Sequence, residues 1–324
     1  MAALAEREVI TIRPQPGPQE AFLASPADIA IYGGAAFAGK SWALLAEALR
    51  NVHNPDFGWV IFRRTYTQVT NEGGLWDESE KMFPLVGAIP KESALEWNFP
   101  SGATGHFAHL QHENNKLDWQ GSQIPYIGFD ELTHFTRGQF FYMLSRNRST
   151  CGVRPYIRGT CNPDPDSFVA ELIAWWIDQD SGYPLPERSG VLRYFVRDGD
   201  RLVWADSRAE LAALYPDRDA AHDFKSLTFV AGSIEDNAIG MALDPAYRGN
   251  LMSLPLVERE RLLFGNWKVR PSAGMYFRRS YFEIVDALPP LLREVRAWDL
   301  AATEPREGTD PDWTAGVRMG IDAL

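Results

Sequence analysis

Cysteine is nearly absent, with Cys151 and Cys161 the only two in 324 residues. That excludes a disulfide scaffold, and two thiols cannot build a zinc site without several added histidines. Both cysteines lie among strand-forming residues, so a reduced, cytoplasmic setting is the expectation. No apolar run is long enough to span a bilayer, and the opening MAALAEREVITIRPQ lacks the basic-then-apolar layout of a signal peptide. Positive charge is also scarce: 32 Lys and Arg face 43 Asp and Glu, for a net charge of −11. Such a chain is not built to coat nucleic acid over its whole surface, although a groove or channel can still grip a phosphate backbone locally. Repeats and low-complexity tracts are missing too. The chain is long enough to bury a large core, in two domains or one with an appendage. Its eleven tryptophans, Trp175, Trp176 and Trp204 among them, read as bulky packing residues.

Apolar runs and helical stretches alternate along the chain, which predicts an α/β fold: a mostly parallel sheet flanked by helices. A proline-rich opening leads into a short helix over 18–24. ADIAIYGG then reads as a buried strand ending in glycines, and residues 40–50 as a helix free of breakers. Further strands are expected at 58–64, 124–132, 153–160 and 225–233, with a hairpin over 95–110 turning at Pro100-Ser101-Gly102. Residues 180–222, rich in Asp, Pro and Gly, look like an excursion from the core. Helical periodicity runs from Tyr247 to Trp267, and REVRAWDLAAT, 293–303, starts a new strand.

The stretch GGAAFAGKS fits the phosphate-loop template, with Gly34, Gly39, Lys40 and Ser41 in the fixed places. A chance match arises in about one in a hundred chains of this length, and placement between a strand and a helix reduces it further. Such a loop surrounds phosphate oxygens with backbone N–H groups and a helix N-terminus. Lys40 supplies a point charge to the β- and γ-phosphates of ATP, and Ser41 holds Mg²⁺. Ninety residues on, the apolar run IPYIGF ends in Asp130 and Glu131. A carboxylate there suits the Mg²⁺ shell, and its neighbour is placed to orient or deprotonate a water. RGTCNP then sets Thr160 and Asn162 at the end of a further strand, where small polar groups can sense a γ-phosphate.

These segments together resemble the large terminase subunit of tailed bacteriophages. FDELTHF, TCNPDP, PQEAFL, SLTFVAGSIEDN, RERLLFGNW and AWDLAAT followed by DPDWTAGV carry the resemblance across nearly the whole chain. It implies a P-loop ATPase core of the ASCE type over 1–235, a lid or linker over 236–288, and the first strands of an RNase H-like nuclease over 289–324. It implies a motor in the bacterial cytoplasm that packages double-stranded DNA through a portal, with a small terminase subunit as partner and a homo-oligomeric ring as the working state. It further implies that Gln19 reads the adenine edge, that Thr160 and Asn162 couple hydrolysis to movement, and that Asp299 ligates one metal of a two-metal nuclease site.

Two departures stand out. Positions 35–38 hold no arginine, whereas many relatives carry one inside the loop; Arg146, Arg148, Arg158 and Lys116 are the candidates to supply that charge, from a neighbouring subunit or otherwise. The remaining nuclease carboxylates come from later strands in the family, and Asp310 and Asp312 read as turn residues, so no competent nuclease site is expected here. Arg63-Arg64, Arg146/Arg148 and Arg278-Arg279 are local basic clusters that can track DNA phosphates without reading bases, or simply sit solvated at the surface. A helicase-like motor and a nucleotide-dependent assembly scaffold remain as alternatives.

Overall fold

Six central strands run parallel, and each edge of the sheet is finished by an antiparallel pair. The computed structural model describes residues 11–270, 291–299 and 315–322. Its main sheet contains β1 (Ile29–Gly34), β2 (Gly58–Arg63), β3 (Ile89–Lys91), β4 (Glu96–Asn98), β5 (Thr104–His109), β6 (Tyr126–Phe129), β7 (Tyr156–Cys161), β8 (Arg193–Asp198), β9 (Arg201–Ala205) and β10 (Lys225–Gly232). The strand order is β3-β4-β5-β2-β6-β7-β1-β10-β8-β9. An added strand, β7, therefore separates β1 from β6, which is the ASCE arrangement.

Every residue of β1 and β7 is buried, as central parallel strands require when both faces are covered. Alternation along each strand divides the interior into two layers. Ala30, Tyr32, Trp59 and Ile61 pack on one face with α2 (Lys40–Ala48) and with Phe22 of α1 (Pro18–Ala24). Ile29, Ile31, Val60, Phe62, Phe129 and Trp176 pack on the other, with Trp175 and Trp204 partly buried against them.

Local sequence accounts for two differences from expectation. The helical stretch 247–267 is broken into Tyr247–Met252 and Leu256–Leu262, because Pro255 has no N–H to carry one helix into the next. Residues 180–222 supply the β8–β9 hairpin, and β8 pairs antiparallel with β10, so this segment widens the sheet.

The chain divides into two compact units, Met1–Arg270 and Pro271–Leu324. In the second, β11 (Leu291–Asp299) pairs antiparallel with β12 (Ala315–Asp322). Among the described residues, no helix is long and apolar enough to cross a membrane.

The shared direction of β1, β2, β5, β6, β7 and β10 brings their C-terminal ends to one edge of the sheet. In open α/β sheets that edge is where ligands bind.

Candidate functional site

β1 ends at Gly34, and the chain turns through Ala35–Ala38 into α2, whose N-cap is Gly39. Gly34 has φ 135° and Gly39 φ 73°, both in the region that favours glycine. Space is as limiting as torsion. A Cβ on Gly34 would lie 2.1 Å from the Gly232 carbonyl oxygen, and one on Gly39 2.0 Å from Gln19 Nε2. Phe37, at φ 63°, is held in the left-handed region by Asn237, whose Nδ2 donates to its carbonyl at 2.7 Å, and by its ring packing on Tyr247 with centroids 4.4 Å apart. The N–H groups of Ala35 and Ala36 donate to Gly232 O (2.9 Å) and Leu262 O (2.7 Å), tying the loop to β10 and to the helix Leu256–Leu262.

Lys40 is buried beneath this turn. Its Nζ donates to the carbonyls of Gly34 (3.4 Å) and Ala35, and to Asn162 Oδ1 at 3.0 Å. Burial pulls the Lys40 pKa below its usual value, opposed by the nearby Glu131, Cys161 and Asp130. The neighbouring Cys161 thiol is pushed up by burial and stays protonated.

Asp130 follows β6 directly, its N–H donating to Phe62 O of β2 at 2.9 Å. Its Oδ1 accepts from Ser41 Oγ at 3.1 Å and from Thr160 Oγ1. Its Oδ2 lies 2.7 Å from Arg63 Nε as an ion pair, without the alignment of a hydrogen bond. Glu131 adopts φ 56°, a left-handed conformation that costs a non-glycine residue about 1–3 kcal/mol. Two bonds from Asn162 hold it there: the backbone N–H to Oε2 at 3.1 Å and Nδ2 to Oε1 at 2.7 Å. The Asn162 carboxamide thus accepts from Lys40 and donates to Glu131, which only an amide can do with both ends.

Gly34, Gly39, Lys40, Ser41, Asp130, Glu131, Thr160 and Asn162 accordingly meet at one edge, although they come from three separate strand ends. Gln19 is buried behind the loop, its Nε2 donating to Gly39 O at 3.3 Å and its Oε1 accepting from Gln15 N at 2.9 Å. Asp299 closes β11 in the second unit. Asp310, Asp312 and the Arg278-Arg279 cluster lie outside the described residues.

The cations are sorted differently from expectation. Arg158 is buried at the opposite end of the sheet, donating to Ser25 O and Ala27 O and stacked on Tyr156. Arg146 and Arg148 lie near the start of β6, where Ile124 N donates to Arg146 O and Arg148 donates to Gly121 O and Ser122 O. Lys116 is paired with Glu113. The Arg63-Arg64 pair is no free basic patch: Arg63 sits on Asp130, and Arg64 donates to Leu110 O (2.9 Å) and Gln139 Oε1 (2.8 Å).

Sequence reasoning passed over Gln15 and Asn237, which brace the loop from behind. Gln15 Nε2 donates to Asn237 Oδ1 at 2.8 Å, while its own Oε1 accepts from Ile239 N at 2.9 Å. The Asn preceding the helix Ala238–Leu243 was the available signal, since Asn favours N-caps. Among the described residues no group of three or more His, Cys, Asp or Glu converges to hold a metal.

A family model described as the N-terminal part of the T4-like-virus type of terminase large subunit matches residues 31–284. Among solved structures, the large terminase of the thermophilic bacteriophage D6E is similar in fold at a TM-score of 0.51 and 14% identity, over 96% of this chain and 66% of that one. The large-terminase ATPase domain of Thermus phage P74-26 aligns at a TM-score of 0.49 and 14% identity, over 79% of this chain and 94% of that one. The chain spans 66% of the length of the first of these relatives. Comparison with curated protein sequences finds no match.

Proposed function

The chain belongs to the terminase large-subunit family, and from that premise we propose that it is the ATP-hydrolysing motor driving double-stranded viral DNA into a procapsid. The observation that carries this reading is the junction of Lys40, Asn162 and Glu131, with Asp130 bonded to Ser41 alongside. A mere nucleotide binder has no need of a second carboxylate held in a strained conformation at its phosphate loop.

The residues fit a metal-bound nucleotide. Lys40 now donates to two carbonyls of its own loop, the places phosphate oxygens would take over, and Asp130 Oδ2 accepts no aligned hydrogen bond. Ser41 and Asp130 would hold Mg²⁺, which supplies charge neutralisation at the phosphates. Lys40 binds the β- and γ-phosphates, Glu131 orients and deprotonates the attacking water, and Thr160 and Asn162 relay the state of the γ-phosphate to β7. Gln19, which braces Gly39, would read the adenine edge.

Residues 1–235 form the ATPase core, 236–288 a lid or linker, and 289–324 an RNase H-like segment in which Asp299 serves as one metal ligand. The motor works as a ring on the portal, in the host cytoplasm, loaded by the small subunit. Its grip on DNA is to phosphates and therefore independent of sequence.

The test is Mg²⁺-dependent ATP turnover per subunit across a dilution series, for wild type and Glu131→Gln. Turnover that is present in wild type and lost in the variant, with nucleotide binding retained, is the expected result. Binding without turnover at any concentration, with duplex DNA present, would replace the motor with an assembly scaffold. Separation of the strands of a forked DNA would point to a helicase.

A further inference from the structure

The loop has no arginine, yet the site contains a guanidinium. Arg63, the last residue of β2, places Nε 2.7 Å from Asp130 Oδ2, the carboxylate whose other oxygen accepts from Ser41 and Thr160. β2 lies directly beside β6, so this cation reaches the site from its own chain. Asp130 is its one carboxylate partner among the described residues, and the Nε–H is buried without a hydrogen-bond acceptor. About a fifth of the side chain remains exposed, at 19%.

Two other cations near this edge are directed elsewhere: Arg64 is bonded to Leu110 O and Gln139, and Arg261 donates to Pro163 O and faces Asp164. An arginine that spends a single contact on the metal-side carboxylate keeps most of its five-donor fork unused. We propose that Arg63 is the phosphate-contacting cation that the loop itself lacks, pairing with Asp130 through Nε and presenting its terminal nitrogens to the γ-phosphate of a bound nucleoside triphosphate. This rests on the ATPase reading above and removes the need for a neighbouring subunit to supply that charge.

A γ-phosphate contact separates triphosphate from diphosphate, whereas a purely structural ion pair does not. The experiment measures the affinity of the full chain for ADP and for ATPγS, each with Mg²⁺, by calorimetry in wild type, Arg63→Gln, Arg63→Lys and Arg259→Gln. Arg259 is included because its Nε is also buried without an acceptor. In R63Q the affinity for ATPγS should fall about tenfold or more, the size of one lost charge-assisted hydrogen bond, while ADP affinity stays within about twofold. R63K keeps the charge without the fork and should fall between. Equal losses for both nucleotides, or no loss, overturn the proposal, as does loss of discrimination in R259Q with R63Q unaffected. Thermal melting is followed alongside, and if R63Q is unfolded the R63K comparison decides. Failure of wild type to bind either nucleotide would instead remove the ATPase reading itself.

Discussion

Asn162 meets Glu131 twice, through its backbone N–H and through its carboxamide, while the oxygen of the same carboxamide accepts from Lys40. One side chain therefore links the loop lysine to the carboxylate proposed above to activate water. Asp at this position can accept from Lys40 but cannot donate to Glu131, and it sets one carboxylate against another. Asn162→Asp is expected to lower turnover on the order of 10²-fold, the scale of a misplaced general base, while nucleotide affinity changes little. Phosphate release alongside fluorescent-nucleotide binding checks this. A parallel fall in both quantities would show that Asn162 only shapes the pocket.

The two loop glycines should respond unequally to substitution. At Gly34 an added methyl runs into backbone, the Gly232 carbonyl at 2.1 Å, which cannot move without separating β1 from β10. At Gly39 it meets the far end of the Gln19 side chain, which can swing away. Gly34→Ala is expected to cost at least about 2 kcal/mol of stability, and Gly39→Ala roughly 1 kcal/mol for its left-handed torsion together with a clear loss of nucleotide affinity. Urea unfolding and calorimetry distinguish the two.

The parts of this molecule legible in the sequence are those fixed by short-range chemistry. A Gly-x₄-Gly-Lys-Ser turn needs only its own residues and a flanking strand and helix, and Asp130-Glu131 needs only the end of an apolar run. The phage family could likewise be read from ordered segments, and the matched span 31–284 bears that out. Pairings set by the sheet order were not legible. Arg63 next to Arg64 reads as a surface cation until β2 is laid against β6, and Gln15 reads as part of a proline-rich loop until Asn237, 222 residues away, is brought onto it. Pro255 is a local signal of the helix break between Met252 and Leu256 that periodicity over 247–267 does not show.

On the side away from the loop, Asp28 ties β1 to β10 and to the hairpin extension. Its Oδ2 accepts from Ser226 N (2.8 Å) and Ser226 Oγ (2.7 Å), Arg208 lies 3.3 Å away, and Arg154 pairs with Oδ1. Burial raises the carboxyl pKa, but the Ser226 bonds and the Arg154 and Lys225 charges outweigh it and leave the pKa below the usual value. The sign follows from linkage. A depressed folded pKa means stability fully present above the unfolded value of about 3.9 and lost as pH falls through the lower folded value. Asp28→Asn should cost about 2 kcal/mol at neutral pH, less than a fully buried pair because Arg154 keeps much of its surface in water. Stability of wild type and variant should converge in acid, and parallel curves from pH 7 to pH 2 would exclude this account.

Asn237 carries two separable jobs. Its Oδ1 caps the helix Ala238–Leu243 through Gly240 N at 3.0 Å and accepts from Gln15, while its Nδ2 holds the Phe37 carbonyl of the loop. Asn237→Asp keeps an acceptor for the cap and for Gln15 but has no N–H for Phe37. Asn237→Ala loses everything and should cost about 1–2 kcal/mol. The aspartate variant should melt close to wild type, yet the loop amides that donate to Gly232 and Leu262 should exchange faster with deuterium, because Phe37 is no longer fixed in its left-handed conformation. Loop exchange unchanged in both variants would mean that packing on Tyr247 alone holds Phe37. Faster exchange in both, with normal melting only in the aspartate, would separate the hold on the loop from the cap of the helix.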